Sequence, residues 1–113
     1  MSEGELPMLD EPFEYLDLPD RAIMKLRVQS YKLGRGAIKP RYAGAPDVKV
    51  NRILRVTVPV SMKPLGPNYW DISSKTLQAQ LIPQLDVVIS QNREVEIQAF
   101  GVAPSKRFTV KVV

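Results

Sequence analysis

The sequence predicts an α+β fold: an antiparallel β-sheet of four to five strands with one main helix and an extended acidic N-terminal arm. Three observations carry this. Several stretches alternate apolar and polar residues with period two, as half-buried strands do. One stretch around residue 80 repeats apolar residues at spacings of three and four, as one face of a helix requires. Charge is also divided along the chain: seven of the 12 acids lie in residues 1–20, and all 16 Lys and Arg lie beyond. The net of +4 thus joins an arm at −7 to a body, residues 21–113, in which 16 bases face five acids for +11.

Residues 1–20 combine Glu3, Glu5, Asp10, Glu11, Glu14, Asp17 and Asp20 with Pro7, Pro12 and Pro19 and with isolated large apolar residues. This is too acidic and Pro-broken for a helix or strand, yet Leu6, Met8, Leu9, Phe13, Tyr15, Leu16 and Leu18 make it too apolar for a purely solvating tail. Two readings follow. The apolar residues dock an extended arm on the body or on a neighbouring subunit, or the arm is an acidic mimic that covers a basic face until nucleic acid displaces it.

From Ala22 to Lys32, Met24, Leu26 and Val28 alternate with Lys25, Arg27 and Gln29, which predicts a half-buried strand. A longer strand is predicted from Val48 to Met62. It places Val48, Val50, Leu54, Val56, Val58 and Val60 on one face and Lys49, Asn51, Ile53, Arg55 and Thr57 on the other. Arg52 interrupts the apolar face and predicts a bulge or an edge position, and Pro59 predicts an edge or a strand end. Between the two strands, Leu33 to Asp47 reads as a Gly/Pro-rich basic loop, which becomes the tip of a hairpin if the strands pair.

Lys63 to Asn68 is a turn by its Pro and Gly content. After Tyr69 to Ile72, the stretch Ser73 to Gln91 carries Leu77, Leu81, Leu85 and Val88 at helical spacing, with Asp71 or Ser73 as the cap. Pro83 predicts either a kinked helix, the preferred reading, or a helix that stops there and yields to a strand over Val87 to Ile89. Asn92 is a stop signal. Finally, Val95, Ile97 and Ala99 alternate with Glu96 and Gln98, and Phe108, Val110 and Val112 alternate with Arg107, Thr109 and Lys111, which predicts a hairpin.

Composition narrows the function classes. A chain of 113 residues, 44% hydrophobic and 25% charged, is one globular domain in size. It holds no Cys and no His, which removes disulfides, thiolate nucleophiles, Cys/His metal sites and the usual proton shuttle. The body's five acids, Asp47, Asp71, Asp86, Glu94 and Glu96, form no catalytic pattern. A non-enzymatic protein without cofactor or metal is expected. Residues 1–20 lack the basic start and apolar run of a secretory signal, and no stretch approaches the ~20 apolar residues of a membrane span. A soluble, cytoplasmic protein is expected.

The strongest functional signal is the run from Arg21 to Lys63, with 11 bases against Asp47 alone. Such a field binds phosphate backbones by ion pairing and counterion release. The candidate contacts are Lys25, Arg27, Lys32, Arg35, Lys39, Arg41, Lys49, Arg55 and Lys63. Tyr42, Tyr69 and Trp70 are candidate rings for base stacking. Tyr and Trp are equally residues of cores and interfaces, and burial is the first expectation for Trp70. Gly34-Arg35-Gly36 resembles a flexible RG element but lacks GxGxxG or Walker spacing, so no nucleotide site is expected.

Two segments resemble the Alba superfamily of small nucleic-acid-binding proteins. Tyr69 to Leu85, YWDISSKTLQAQLIPQL, is similar to that family's short strand, Lys/Thr-containing turn and first helix. Val95 to Val110, VEIQAFGVAPSKRFTV, is similar to its second strand, its glycine and the segment opening the next helix. The resemblance implies that Lys75, Lys106 and Arg107 lie near nucleic acid. Pro104 and the ending TVKVV depart from it, suiting a hairpin better than a helix.

The expected partner is nucleic acid, DNA or RNA, in a homo-oligomer or larger assembly. The alternative is a structural or assembly protein, a component of a virion, nucleoprotein or ribosome-associated particle, whose acidic arm docks on a neighbouring subunit. An adaptor that offers exposed strand edges to another protein is a third reading.

Overall fold

The structure, a computed structural model, describes residues 6–38, 49–102 and 105–113. Its elements in chain order are β1 (Ile23–Leu26), β2 (Ser30–Ile38), β3 (Lys49–Thr57), β4 (Tyr69–Ile72), α1 (Lys75–Ser90), β5 (Val95–Phe100) and β6 (Arg107–Val112). The class is α+β, and the described residues hold one helix, as expected. In place of a single sheet, however, their six strands form two three-stranded antiparallel sheets, ordered β1-β5-β6 and β2-β3-β4.

The predicted strand from Ala22 to Lys32 is what divides the sheets. Its alternation continues through Leu26 and Val28, both buried, but the backbone leaves strand geometry at Arg27. There the Arg27 N–H donates to Met62 Sδ, and the Gln29 N–H donates to Thr57 O at 2.8 Å. β1 therefore pairs with β5 (Met24 opposite Ile97), whereas β2 pairs with β3 (Leu33 opposite Leu54). Strand alternation specifies a buried face and leaves the pairing partner open.

β3 is a central strand, not an edge. Its register with β2 runs unbroken through Arg52, which sits opposite Arg35 and sends Nε to Gln78 Oε1 at 2.8 Å, so the expected bulge is absent. Pro59 lies beyond the end of β3. Residues Leu33–Ile38, expected in the loop, belong to β2; the rest of that loop lies outside the described residues.

α1 runs continuously through Pro83, with no strand at Val87–Ile89. Ser74, not Asp71 or Ser73, caps it: its side chain accepts the Leu77 N–H at 3.2 Å. The periodic residues Leu77, Leu81, Leu85 and Val88 are buried. They meet Leu54, Val56, Val58 and Ile72 of one sheet side and Leu26, Val95, Ile97 and Ala99 of the other in a single core. Each large side chain buried there contributes about 1.5–3 kcal/mol. β5 and β6 form the expected hairpin, from Val95 opposite Val112 to Phe100 opposite Arg107.

The N-terminal segment lies across the face of β2-β3-β4 that points away from α1. At the β2 edge, Leu9 N–H donates to Arg35 O (2.9 Å) and Arg35 N–H to Pro7 O (2.8 Å). At the β4 edge, Asp71 N–H donates to Glu14 O (2.7 Å) and Leu16 N–H to Asp71 O (2.9 Å). Leu9 and Leu18 are buried. The glycines make this possible: a Cβ on Gly34 would stand 2.5 Å from the Leu9 side chain, and one on Gly36 2.8 Å from Phe13. What reads in sequence as a mobile RG element is a groove for Leu9 and Phe13. Among the described residues, no helix is long and apolar enough to cross a membrane.

Candidate nucleic-acid interface

Arg55 and Lys63, expected among the outward phosphate contacts, are buried. Arg55 is 5% exposed and its partner Asp71 is 0% exposed. The guanidinium donates to both Asp71 oxygens, Nε to Oδ1 at 2.6 Å and Nη2 to Oδ2 at 3.0 Å, and Nη2 also donates to Asp10 O at 2.9 Å. It lies over the rings of Tyr69 (4.0 Å) and Phe13 (5.4 Å). The hydrogen bond to Asp71 raises the Arg55 pKa above its ordinary value, against the opposing effect of burial, so this charge is permanent. Lys63 is 8% exposed, with Nζ donating to Glu14 Oε1 (2.9 Å), Pro67 O (2.7 Å) and Leu65 O (3.2 Å). The alternation of β3 put Arg55 on the face opposite the core, correctly; the N-terminal segment then covers that face.

The candidate rings are engaged in the same region. Tyr69 carries Arg55 on its face and donates its hydroxyl to Pro12 O. Trp70 is half-buried beneath Lys63 Nζ, 4.8 Å from the ring centroid.

The other candidates are dispersed. Lys25 on β1, Lys32 on β2 and Lys75 at the start of α1 are exposed. Arg27 pairs with Glu94 at 3.7 Å, and Arg35 is half-buried with Nε on Leu6 O at 2.7 Å. Lys39, Arg41 and Tyr42 lie outside the described residues, and of Lys49 only the backbone, paired with Ile38, is described. Lys106 reaches Asp17 at 3.4 Å, whereas Arg107 is exposed.

A second face was not singled out by local sequence signals. In β1-β5-β6 the side turned from the core carries Ile23 and Lys25 on β1, Glu96, Gln98 and Phe100 on β5, and Arg107, Thr109 and Lys111 on β6. Strand register aligns Lys25, Glu96 and Lys111 in one row, Ile23, Gln98 and Thr109 in the next, and Phe100 opposite Arg107. The inward residues Val95, Ile97 and Ala99 are fully buried, while Lys25, Phe100, Arg107, Thr109 and Lys111 are exposed. The alternation of Arg107, Thr109 and Lys111 is visible in sequence, but their alignment with Lys25, more than 80 positions away, is not. No protein-family model, no curated protein and no solved structure matches this chain.

Proposed function

We propose that this protein binds DNA or RNA through surface bases and catalyses no reaction. The observation that supports the reading is the distribution of ion pairs. Among the described residues, Arg21, Lys25, Lys32, Lys75, Arg93, Arg107 and Lys111 are exposed and belong to none of the four ion pairs. The acidic segment engages Lys63 and Lys106 and leaves these bases open. Arg55 and Lys63 are not part of the proposed contact set; Lys39 and Arg41 join it on sequence grounds. The Alba resemblance points to the same class of partner.

Titration of a labelled oligonucleotide at 50 and 200 mM salt tests this. Each phosphate contact contributes a slope of about −0.7 to −0.9 in log K against log salt, so four to six contacts lower affinity roughly 50- to 1,800-fold over that range. Absence of binding at low salt, or binding indifferent to salt, would refute it.

The assembly reading has its own support in β1, an outer strand of its sheet, and in the exposed Ile23, Val60, Leu65 and Val102. It predicts a defined oligomer by light scattering at micromolar concentration, and a monomer would count against it.

A further inference from the structure

The two sheets differ in what covers their outer faces. That of β2-β3-β4 is occupied by Leu9, Phe13 and the Arg55 cluster, whereas that of β1-β5-β6 is left uncovered by the described residues, is basic and is marked by one exposed ring, Phe100, at 39% exposure. We infer that this open face is a platform for single-stranded nucleic acid, with Phe100 stacking on a base and Lys25, Arg107 and Lys111 holding the phosphates. The inference rests on the nucleic-acid reading and specifies its site and substrate class.

Charge and geometry favour this occupant. The face carries three bases against Glu96, so an anionic chain is attracted to it. Neighbouring strands stand about 4.8 Å apart and same-face residues about 6.8 Å apart, so the three rows span roughly 14 Å along the strands. With one ring the face stacks one base, and its length leaves room for the neighbouring nucleotides along the basic row. Thr109 and Gln98 lie between the basic row and Phe100; the Thr109 hydroxyl can hydrogen-bond a base edge, and Gln98, whose Nε2 donates to Arg21 O at 3.5 Å, offers its Oε1 as an acceptor. A duplex keeps its bases stacked inside and would leave the ring without a partner. A three-stranded face about 10 Å wide is also too broad for the ~6 Å minor groove. Stacking is tolerant of sequence because every base has a π-face, so low sequence preference follows.

The test is fluorescence anisotropy on the full chain with a 15-mer dT, a 15-mer rU, a 15-base-pair duplex and polyglutamate, at low and moderate salt. The expected result is single strands binding at least tenfold tighter than the duplex, and Phe100→Ala weakening single-strand binding about 5- to 150-fold. Phe100→Trp should retain affinity, and circular dichroism identical to the parent protein should show that the variants fold. Equal or tighter duplex binding that Phe100→Ala leaves unchanged would overturn the platform while the nucleic-acid reading stands. Failure of every nucleic acid to bind would remove both, and polyglutamate binding as tight as dT would overturn the inference in favour of an acidic protein partner.

Discussion

Replacing Asp71 by Asn should destabilise the protein by about 3 kcal/mol. The carboxylate is 0% exposed and accepts three bonds, two from Arg55 (2.6 and 3.0 Å) and one from the Glu14 N–H (2.8 Å). Asn keeps the shape, removes the charge and turns one acceptor into a donor, which then faces either the guanidinium or the Glu14 amide. Breaking a buried pair from one side costs about 3–5 kcal/mol, because the remaining charge stays buried. The lower figure applies here, since Arg55 keeps Asp10 O and the Tyr69 ring. Against the roughly 6–17 kcal/mol expected for a chain of this length, that is about a fifth to a half of the total. Urea unfolding followed by Trp70 fluorescence and circular dichroism measures it. The double variant R55M/D71L should recover part of the loss, since an apolar pair of similar volume removes the buried charge but leaves the Glu14 N–H and Asp10 O without their partners. A D71N cost below about 1 kcal/mol, typical of exposed pairs, or a double variant losing the sum of both singles, would refute the reasoning.

Gly34→Ala should loosen the N-terminal segment, because the new Cβ would stand 2.5 Å from the Leu9 side chain and 2.9 Å from the Pro7 carbonyl, a backbone atom that no rotamer change moves. The expected cost is about 1–3 kcal/mol, read together with faster cleavage after Glu14 by a Glu-specific protease; unchanged cleavage would contradict the groove. Tyr15 has its pKa raised, chiefly by burial and then by the charge of Asp71. A raised folded-state pKa gives stability that is complete below the ordinary value near 10 and is lost as pH rises through the folded value. The parent protein should therefore lose stability above pH 10 more steeply than Tyr15→Phe, and parallel profiles would count against it. Leu81→Ala, at a fully buried position of α1, should cost about 2–5 kcal/mol by urea unfolding. The triple variant K25Q/R107Q/K111Q should lower the salt slope of oligonucleotide binding by about 2 to 3, and an unchanged slope would place the contacts elsewhere.

Much of the fold was legible because its signals are local. The spacing of Leu77, Leu81, Leu85 and Val88 marked the buried face of α1, and the alternation on either side of Gly101 marked the β5-β6 hairpin. The sheet count was not legible, since Met24, Leu26 and Val28 alternate without a break while the chain passes from one sheet to the other. The candidate contacts divided in the same way. Lys25, Lys32 and Lys75 are exposed, but Arg55 alternates like any solvent-facing base, and only the segment some 40 residues earlier buries it.

The sequence by itself determined the periodicities, the absence of Cys and His, and the separation of seven N-terminal acids from 16 later bases. Periodicity states which side chains share a face. It carries no information about what covers that face, because covering depends on contacts between residues far apart in the chain. Tertiary structure alone decided that Gly34 and Gly36 form a groove, that Asp71 rather than solvent meets Arg55, and that the described residues leave the face bearing Lys25, Phe100, Arg107 and Lys111 uncovered.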